Sequence, residues 1–201
     1  MTTLIFNKWD TADVKVHDLG IANYIMLDTK IIPHTFGRGT RKRFAKGSVN
    51  VVERLVNKLM RSGQGKRKMS GKYIRGRGGC GKKLQALNIV ENAFEIVENK
   101  TKTNPVQILV DSIANASPRE DTTRIKKGGI SYAQAVDVAP MNRVDEAIKN
   151  IALSAFAGSF KNKRSPADAL AEELILASKG DVKSFSVKRR DEIERIAKSS
   201  R

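Results

Sequence analysis

Residues 121–138, DTTRIKKGGISYAQAVDV, determine the fold class of this chain, because they interrupt a pattern that is otherwise helical. The stretch is rich in β-branched residues, and Gly128-Gly129 at its centre supply the positive φ angles that a tight turn needs. Val136 and Val138 alternate with Asp137, as expected of a strand with one buried face. The stretch therefore predicts a β-hairpin over about residues 119–138 that protrudes from a helical body.

On both sides of this hairpin, apolar residues recur at the three- and four-residue spacing of helices. Pro140 opens one helix that closes near Gly158, and Ser165-Pro166 opens the next, with Asp168 placed as a capping-box acid and Gly180 at its end. Asn104-Pro105 begins a helix that Pro118 stops. The predicted inward faces are Val144, Ala147, Ile148, Ile151, Ala155 and Phe156, then Ala167, Leu170, Ala171, Leu174 and Ala177, and Ile108, Leu109, Ile113 and Ala116.

Three further helices complete the pattern. Ser48 is a candidate N-cap for a helix with Val49, Val52, Leu55, Val56 and Leu59 inward. A second carries Leu84, Leu87, Val90, Ala93, Phe94 and Val97, and a last one near Ser186–Ser199 carries Ile193, Ile196 and Ala197. The predicted fold is mainly α, a helical bundle of about six helices with a protruding β-hairpin. Residues 1–47 are expected to form an N-terminal arm and a basic loop, the latter at 37–47, and residues 48–201 a single helical domain with a Gly-rich insertion at 61–83.

Positive charge is concentrated in one region of the chain. Gly37 to Lys83 contains 16 Lys or Arg and one acid, Glu53, within a chain whose net charge is +17. Such a segment repels itself unless a polyanion neutralises it, and nucleic acid is the polyanion with regularly spaced charge. Residues 61–83 combine that charge with seven glycines and little apolar content, which predicts disorder without a ligand.

Three features favour RNA over DNA as that polyanion. The basic residues lie on irregular segments and a hairpin instead of one groove-reading helix. Tyr73 and Tyr132 are placed to stack on unpaired bases, although simple packing explains each equally well. Basic segments that order on binding are common in proteins that thread into folded RNA. A non-specific DNA-binding chromatin protein is the alternative, and a hairpin whose basic tip only aids solubility is the simplest reading of that element.

Patterns that would indicate an enzyme fail on closer inspection. Gly76–Gly81 matches a dinucleotide-binding pattern and, with Lys82, a P-loop, but Lys83 stands where the P-loop needs Ser or Thr. No hydrophobic strand precedes it. His17 and His34 lack ligand neighbours at metal-site spacing, and Cys80 is a lone thiol that fits a reducing compartment. The remaining acids follow the ordinary solvated helix pattern, namely Glu91, Glu95 and Glu98, and Glu172 and Glu173. The sequence predicts no catalysis, no cofactor, no small-molecule substrate and no membrane span.

Several strings resemble the small-subunit ribosomal protein seven family, in its archaeal and eukaryotic branch. They are NASPREDTTR at 115–124, AVDVAP at 135–140, AFEIV at 93–97, NPVQIL at 104–109, PHTFGR at 33–38, VERL at 52–55, AEEL at 171–174 and KRRDE at 188–192. The resemblance covers nearly the whole chain from about Asp18. It implies a helical domain with a β-hairpin that binds small-subunit rRNA early and nucleates assembly of the head. It also implies a cytoplasmic place on the ribosome near the mRNA exit, the exit-site tRNA and neighbouring ribosomal proteins of the head.

Carried onto this chain, the resemblance predicts rRNA contacts from the basic loop, the hairpin flanks and the helix after the hairpin. These residues are Arg38, Arg41, Lys42, Arg43 and Lys46, with Arg119, Arg124 and Arg143. The hairpin tip would face mRNA and tRNA, and it consists of Lys126, Lys127, Gly128 and Gly129. Tyr132 would provide a ring on which a base can stack. For the insertion at 61–83 the family implies no role, and charge alone predicts that it threads along rRNA through Lys66, Arg67, Lys68, Lys72, Arg75, Arg77, Lys82 and Lys83.

Overall fold

Helices dominate the part of the chain that the structure describes. The computed structural model describes residues 4–28, 30–38, 42, 44–63, 68–69, 72–73 and 82–201. The helices are α1 (Leu19–Ala22), α2 (Val51–Leu59), α3 (Lys83–Thr101), α4 (Pro105–Ala116), α5 (Pro140–Ser159), α6 (Pro166–Ser178) and α7 (Phe185–Ser199), and a short 3-10 helix spans Ala45–Ser48. The strands are β1 (Lys68–Met69) and β2 (Lys72–Tyr73), which pair with each other, and β3 (Glu120–Lys127) and β4 (Ile130–Asp137), which form the hairpin. The mainly helical fold class is confirmed, and α2 to α7 are the six predicted helices.

Helix α6 is the central element of the bundle and packs against α3, α4 and α5. Its predicted inward face is confirmed, since Leu170 and Leu174 are fully buried and the three alanines beside them are buried too. Small side chains let helices approach closely. At Gly158 of α5, an added Cβ would lie only 3.2 Å from the Cβ of Ala169, so the glycine itself permits this contact.

The N-caps of α4 and α6 were predicted correctly. The Asn104 side chain accepts a hydrogen bond from the Val106 amide at 3.0 Å, and the Ser165 hydroxyl accepts one from the Asp168 amide at 3.0 Å. The predicted N-cap of α2, Ser48, is wrong. Asn50 caps this helix through Val52, and Ser48 lies in the preceding 3-10 helix, where its hydroxyl bonds to the Ala45 carbonyl.

Six predicted core residues are not buried; Val49, Leu59 and Ile193 are half-buried, and the other three lie near helix ends. Leu84, in the first turn of α3, is 76% exposed, and Ile196 of α7 is 47% exposed. Phe156 near the end of α5 is only half-buried. All three lie toward a helix end, where helical periodicity still points a side chain to the core side but no neighbouring helix reaches far enough to cover it.

The N-terminal segment is anchored to the helical body. Ile5, Trp9 and Ile21 are buried in the same core as the helices. The Trp9 ring meets the Phe94 ring edge to face at 5.5 Å between centroids, and its Nε1 donates to Glu98 of α3 at 3.0 Å. The segment 5–25 is therefore anchored to the core through Ile5, Trp9, Ile21 and Ile25, although the predicted arm included it. The boundary at residue 47 stays a prediction about domain organisation.

Glu173 of α6 is a buried carboxylate, which corrects the prediction that it lies on a solvated face. Its Oε1 accepts hydrogen bonds from the Ser184 hydroxyl at 2.7 Å and from the Ser186 amide at 2.9 Å, and its Oε2 accepts one from the Ser154 hydroxyl at 2.8 Å. Ser184 is the N-cap of α7. One carboxylate thus ties α5, α6 and the start of α7 together, and charge-assisted bonds of this kind are the stronger class of hydrogen bond.

Candidate nucleic-acid interface

The hairpin presents two different faces. Residues paired in register have side chains on the same face of an antiparallel ribbon, and Ile125 pairs with Tyr132 while Arg124 pairs with Ala133. The apolar face carries Ile125, Ile130, Tyr132 and Val136, which are 44%, 59%, 53% and 39% exposed. The basic face carries the exposed side chains of Arg124 and Lys126, opposite the small residues Ala133 and Ser131.

The hairpin itself is confirmed, but its predicted buried face is wrong. Within β4 only Ala135 is partly covered, and Val136 is exposed. The register explains the error, because Val136 points to the apolar face, which no described element covers. The turn is as predicted, with Gly128 and Gly129 at φ +58° and +83°, the left-handed values that a two-residue hairpin turn requires.

Helix α7 holds the base of the hairpin. The Arg119 amide donates to Glu194 at 2.9 Å, and Arg201 forms an ion pair with Glu120. The Val138 amide donates to the Arg119 carbonyl at 2.9 Å, which closes the ribbon at this end. The side chain of Arg119 remains exposed at the base, as its predicted role requires.

The basic loop and α2 surround a cavity of about 530 Å³, which we call the α2 cleft. Its charged lining consists of Lys42, Lys46, Arg54, Lys58, Arg61 and Lys83, with Glu53 and Asp145. The cleft therefore brings together three predicted site residues, Lys42, Lys46 and Lys83. Arg38 is exposed outside it. Arg41 and Arg43 lie outside the described residues.

Asp145 of α5 neutralises part of this cleft. Its Oδ2 lies 2.6 Å from Lys46, and its Oδ1 lies 3.3 Å from Arg54 and 3.8 Å from Lys58. Burial alone would raise the pKa of Asp145, but the hydrogen bond from Lys46 and the nearby cations hold that pKa below its ordinary value of 3.8. Burial lowers the pKa of Lys58; Asp145 opposes this, and Lys46, Arg61 and Lys149 lower it further. Positive charge in the cleft therefore exceeds what its acids compensate.

Glu53 lies at the buried side of the cleft. Its Oε1 accepts hydrogen bonds from Lys83 at 2.6 Å and from the amide and hydroxyl of Thr35 at 3.0 and 2.9 Å. Burial would raise the pKa of Glu53, but Lys83 and Thr35 hold it below its ordinary value of 4.5. Lys83, a predicted rRNA contact, is thus bound to a carboxylate inside the protein, and it also joins the first turn of α3 to α2.

Arg143, which was predicted to contact rRNA, is buried inside the protein. Its guanidinium is buried and lies 2.7 Å from Asp18 and 3.2 Å from the Ser117 hydroxyl. Burial would raise the pKa of Asp18, but the hydrogen bonds from Arg143 and from Gly20 hold it below its ordinary value of 3.8. Arg143 is therefore a structural residue that ties the start of α1 to α5 and α4, because a buried guanidinium needs a carboxylate partner.

Most of the Gly-rich insertion lies beyond what the structure describes. Lys66, Arg67, Arg75 and Arg77 fall outside the described residues, as does the Gly76–Gly81 pattern, and the disorder predicted for residues 61–83 stays a prediction. Lys68 and Lys72 lie in β1 and β2, which pair as Met69 with Lys72 and Lys68 with Tyr73. Lys82, directly before α3, is exposed. The prediction that this insertion threads along rRNA stays a prediction.

Two exposed aromatic residues border the basic loop, and the sequence reading missed both. Phe36 is 79% and Phe44 63% exposed, and both hold left-handed backbone angles, φ +53° and +64°. A bulky residue rarely adopts this conformation, and such strain clusters at functional sites. Only their position next to Gly37 and Arg43 in a Gly-rich basic loop could have pointed to them.

In the part of the chain that the structure describes, no cluster of three or more His, Cys, Asp or Glu side chains is placed to hold a metal ion. Among the same residues, no helix is both long and apolar enough to cross a bilayer.

Comparison with known proteins finds one family over most of the chain. The family model for "Ribosomal protein S7p/S5e" matches residues 21–201. Among similar proteins, each called "Small ribosomal subunit protein uS7", that of Methanosphaera stadtmanae is 47% identical over 200 residues and covers 100% of both chains. That of Methanothermobacter thermautotrophicus is 46% identical over 98% of this chain and 99% of its own, and that of Methanospirillum hungatei is 48% identical over 98% and 95%.

Proposed function

This chain belongs to the ribosomal protein S7p/S5e family, and from that premise we propose that it binds small-subunit rRNA directly through its hairpin and its basic loop. The protein is a structural constituent of the small ribosomal subunit in the cytoplasm, where rRNA and other ribosomal proteins are its partners. The family is non-enzymatic, in agreement with the prediction of no catalysis. The DNA-binding alternative is not supported, because the relatives of this chain are ribosomal proteins.

The observation that carries this proposal is the basic face of the hairpin. Arg124 and Lys126 are exposed, and no carboxylate lies within ion-pair distance of them among the described residues. Ser131 and Ala133 beside them are small, so a phosphate backbone can come close to the ribbon. Each phosphate that such a side chain neutralises releases a counterion, which supplies sequence-independent affinity.

The finer parts of the proposal concern the place of the protein in the subunit. The hairpin tip, with Lys126 and Gly128-Gly129, would face mRNA and exit-site tRNA, and Tyr132 on the apolar face would stack on an unpaired base. The rigid helical body would fix the angle between rRNA helices as the head domain assembles. What supports this is the shape of the molecule, a ribbon held at its base by α7 with its far end exposed.

The test is a salt titration of binding to an rRNA fragment from the three-prime domain of the small subunit, with bulk tRNA and duplex DNA as competitors. We expect binding that survives both competitors, with a slope of about 0.7 to 0.9 per neutralised phosphate. The variant Arg124→Ala/Lys126→Ala should reduce the slope, while Lys183→Ala/Lys188→Ala, at two exposed positions, serves as the charge-matched control. Equal affinity for all three polyanions would instead favour the DNA-binding alternative.

A further inference from the structure

We propose that the α2 cleft is a binding site for one unstacked nucleotide, with the base against Phe44 and the phosphate at Lys42, Lys58 and Arg61. This inference rests on the proposed rRNA binding for the source of the nucleotide, but not for the chemistry of the site. Neither the sequence reading nor the family resemblance placed a pocket here. The cavity, about 530 Å³, falls within the range of roughly 300 to 1,000 Å³ that is typical of small-molecule sites.

The net positive charge of the cleft favours the binding of an anion. Six Lys or Arg side chains line it against two carboxylates, Glu53 and Asp145. Asp145 already lies within 4 Å of Lys46, Arg54 and Lys58, whereas Lys42 and Arg61 have no carboxylate at that distance among the described residues. A phosphate group supplies the missing negative charge, and like-charge repulsion among the lysines makes its binding more favourable.

Two buried atoms of lining residues support a polar ligand. Glu53 and Arg54 are 1% and 3% exposed, and Glu53 Oε2 and Arg54 Nε find no hydrogen-bond partner in the described part of the chain. Buried polar atoms without partners are rare, and each one in a native structure needs an explanation such as a ligand or water. An amino or imino N–H of a base can donate to the carboxylate, and a phosphate oxygen can accept from the guanidinium.

One wall of the cleft is suited to a base. Phe44, Val49 and Met141 line it, and the Phe44 ring is exposed. Phe44 holds φ +64° at the N-terminal end of the 3-10 helix Ala45–Ser48, a conformation that costs energy and persists where the surrounding structure demands it. Stacking of an unpaired base on an exposed ring is the common mode by which proteins hold single-stranded RNA.

The experiment follows the methyl group of Met141, a residue that lines the cleft beside Phe44 and Val49. The full chain is labelled at methionine methyls, and Met141→Leu assigns the signal. The labelled wild-type chain is titrated separately with AMP, GMP, CMP, UMP, inorganic phosphate and the three-prime-domain rRNA fragment, and the NMR signal of the Met141 methyl group is followed. We expect the rRNA fragment or the mononucleotides, but not phosphate alone, to shift the Met141 signal. A shift with rRNA only assigns the nucleotide to rRNA, and a shift with mononucleotides only assigns the site to a free nucleotide.

Variants of the two exposed phenylalanines provide the matched comparison. Phe44→Ala should weaken rRNA binding about tenfold, the loss expected of one stacked base, while Phe44→Trp should retain it. Phe36→Ala is the control, because Phe36 is also exposed and left-handed but does not line the cleft. Both alanine variants should keep the wild-type melting temperature, since neither ring is buried.

Two results would overturn the proposal. One is an unmoved Met141 signal with every ligand, including rRNA that is bound. The other is an equal loss of rRNA affinity in Phe44→Ala and Phe36→Ala, which would assign the effect to the loop as a whole. If the wild-type chain does not bind the rRNA fragment at all, the proposed function is wrong. The mononucleotide titration then still shows whether the α2 cleft binds a nucleotide.

Discussion

The hairpin and the helical body treat their basic residues in opposite ways. On the hairpin, Arg124 and Lys126 extend into solvent from a ribbon that is covered only at its base. In the body, Arg54 and Arg143 are buried and bound by Asp145 and Asp18. The difference teaches that a count of positive charge does not identify an RNA contact. What decides is whether the fold places a carboxylate beside the cation.

Arg124 and Arg143 show the same difference within one short region of the sequence. Both were predicted to contact rRNA, and only 19 positions separate them. Arg124 pairs across the ribbon with Ala133, whereas Arg143 reaches Asp18, a residue of the distant N-terminal segment. We therefore expect substitutions in the body to change the free energy of unfolding and substitutions on the hairpin to change rRNA binding.

The largest effect is expected from Arg143→Ala. Removing one partner of a buried ion pair leaves the other uncompensated, and we expect the unfolding free energy to fall by about 3 kcal/mol. Urea denaturation at pH 7 measures this, with Arg124→Ala as the matched control that should stay within about 0.5 kcal/mol of wild type. Similar midpoints for both variants would erase the contrast between body and hairpin.

A smaller effect is expected from acid, because protonation removes a charge but keeps the side chain in place. The pKa values of Asp18, Glu53 and Asp145 are held below their ordinary values of 3.8, 4.5 and 3.8 in the folded protein. Their contribution is therefore fully present above the unfolded pKa values and is lost as the pH falls through the folded ones. The unfolding free energy, followed by denaturation from pH 6 down to pH 3, should decline. Asp18→Asn should be less stable at pH 6 and show a shallower decline; an unchanged slope would contradict the role of Asp18.

The double variant Arg124→Ala/Lys126→Ala should leave stability within about 0.5 kcal/mol of wild type, because exposed charges contribute little to folding. Its rRNA affinity should fall, and the slope of log affinity against log salt should drop by about 1 for each lost phosphate contact. Filter binding over a series of salt concentrations gives both quantities. A lowered melting temperature with an unchanged salt slope would make these residues structural.

The smallest effect is expected from Leu84→Ser, although Leu84 was predicted to be a core residue. Since Leu84 is 76% exposed, we expect a change within about 0.5 kcal/mol. Leu87→Ala, one turn later and 4% exposed, should cost about 2 to 5 kcal/mol. Thermal unfolding of the two variants side by side measures where along α3 the core begins.

Local signals in the sequence predicted most of the fold. The cap at Asn104 with Pro105, the Ser165–Asp168 pair and the Gly128-Gly129 turn each act within a few residues, so the sequence alone contains the interaction. The sequence predicted Ser48 as the N-cap of α2, whereas Asn50 caps it, and Ser and Asn are similarly preferred at this position. The choice depends on the Val51 amide, which donates to the Met26 carbonyl at 2.9 Å and fixes where the helix starts.

The parts that sequence reasoning missed depend on contacts between distant residues. Trp9 looks like part of an irregular arm until α3 supplies Phe94 and Glu98. Glu173 looks solvated until Ser154, Ser184 and Ser186 close around it. The α2 cleft likewise combines side chains from the basic loop, α2, α3 and α5, and no local pattern announces such an arrangement.

Contacts at the end of α7 fix the base of the hairpin, so the orientation of that base determines where the far tip lies. Eight residues at about 3.3 Å each make each strand about 26 Å long, so a tilt of about 5° at the base moves the tip by about 2 Å. The base is held at one end of α7 by the Arg119–Glu194 hydrogen bond and the Glu120–Arg201 ion pair. The other end of α7 is held by the hydrogen bonds to Glu173. A substitution inside the bundle can therefore redirect the tip without touching it. The hydrogen bonds from Ser184 and Ser186 to Glu173 thus fix the start of the helix on which the hairpin rests.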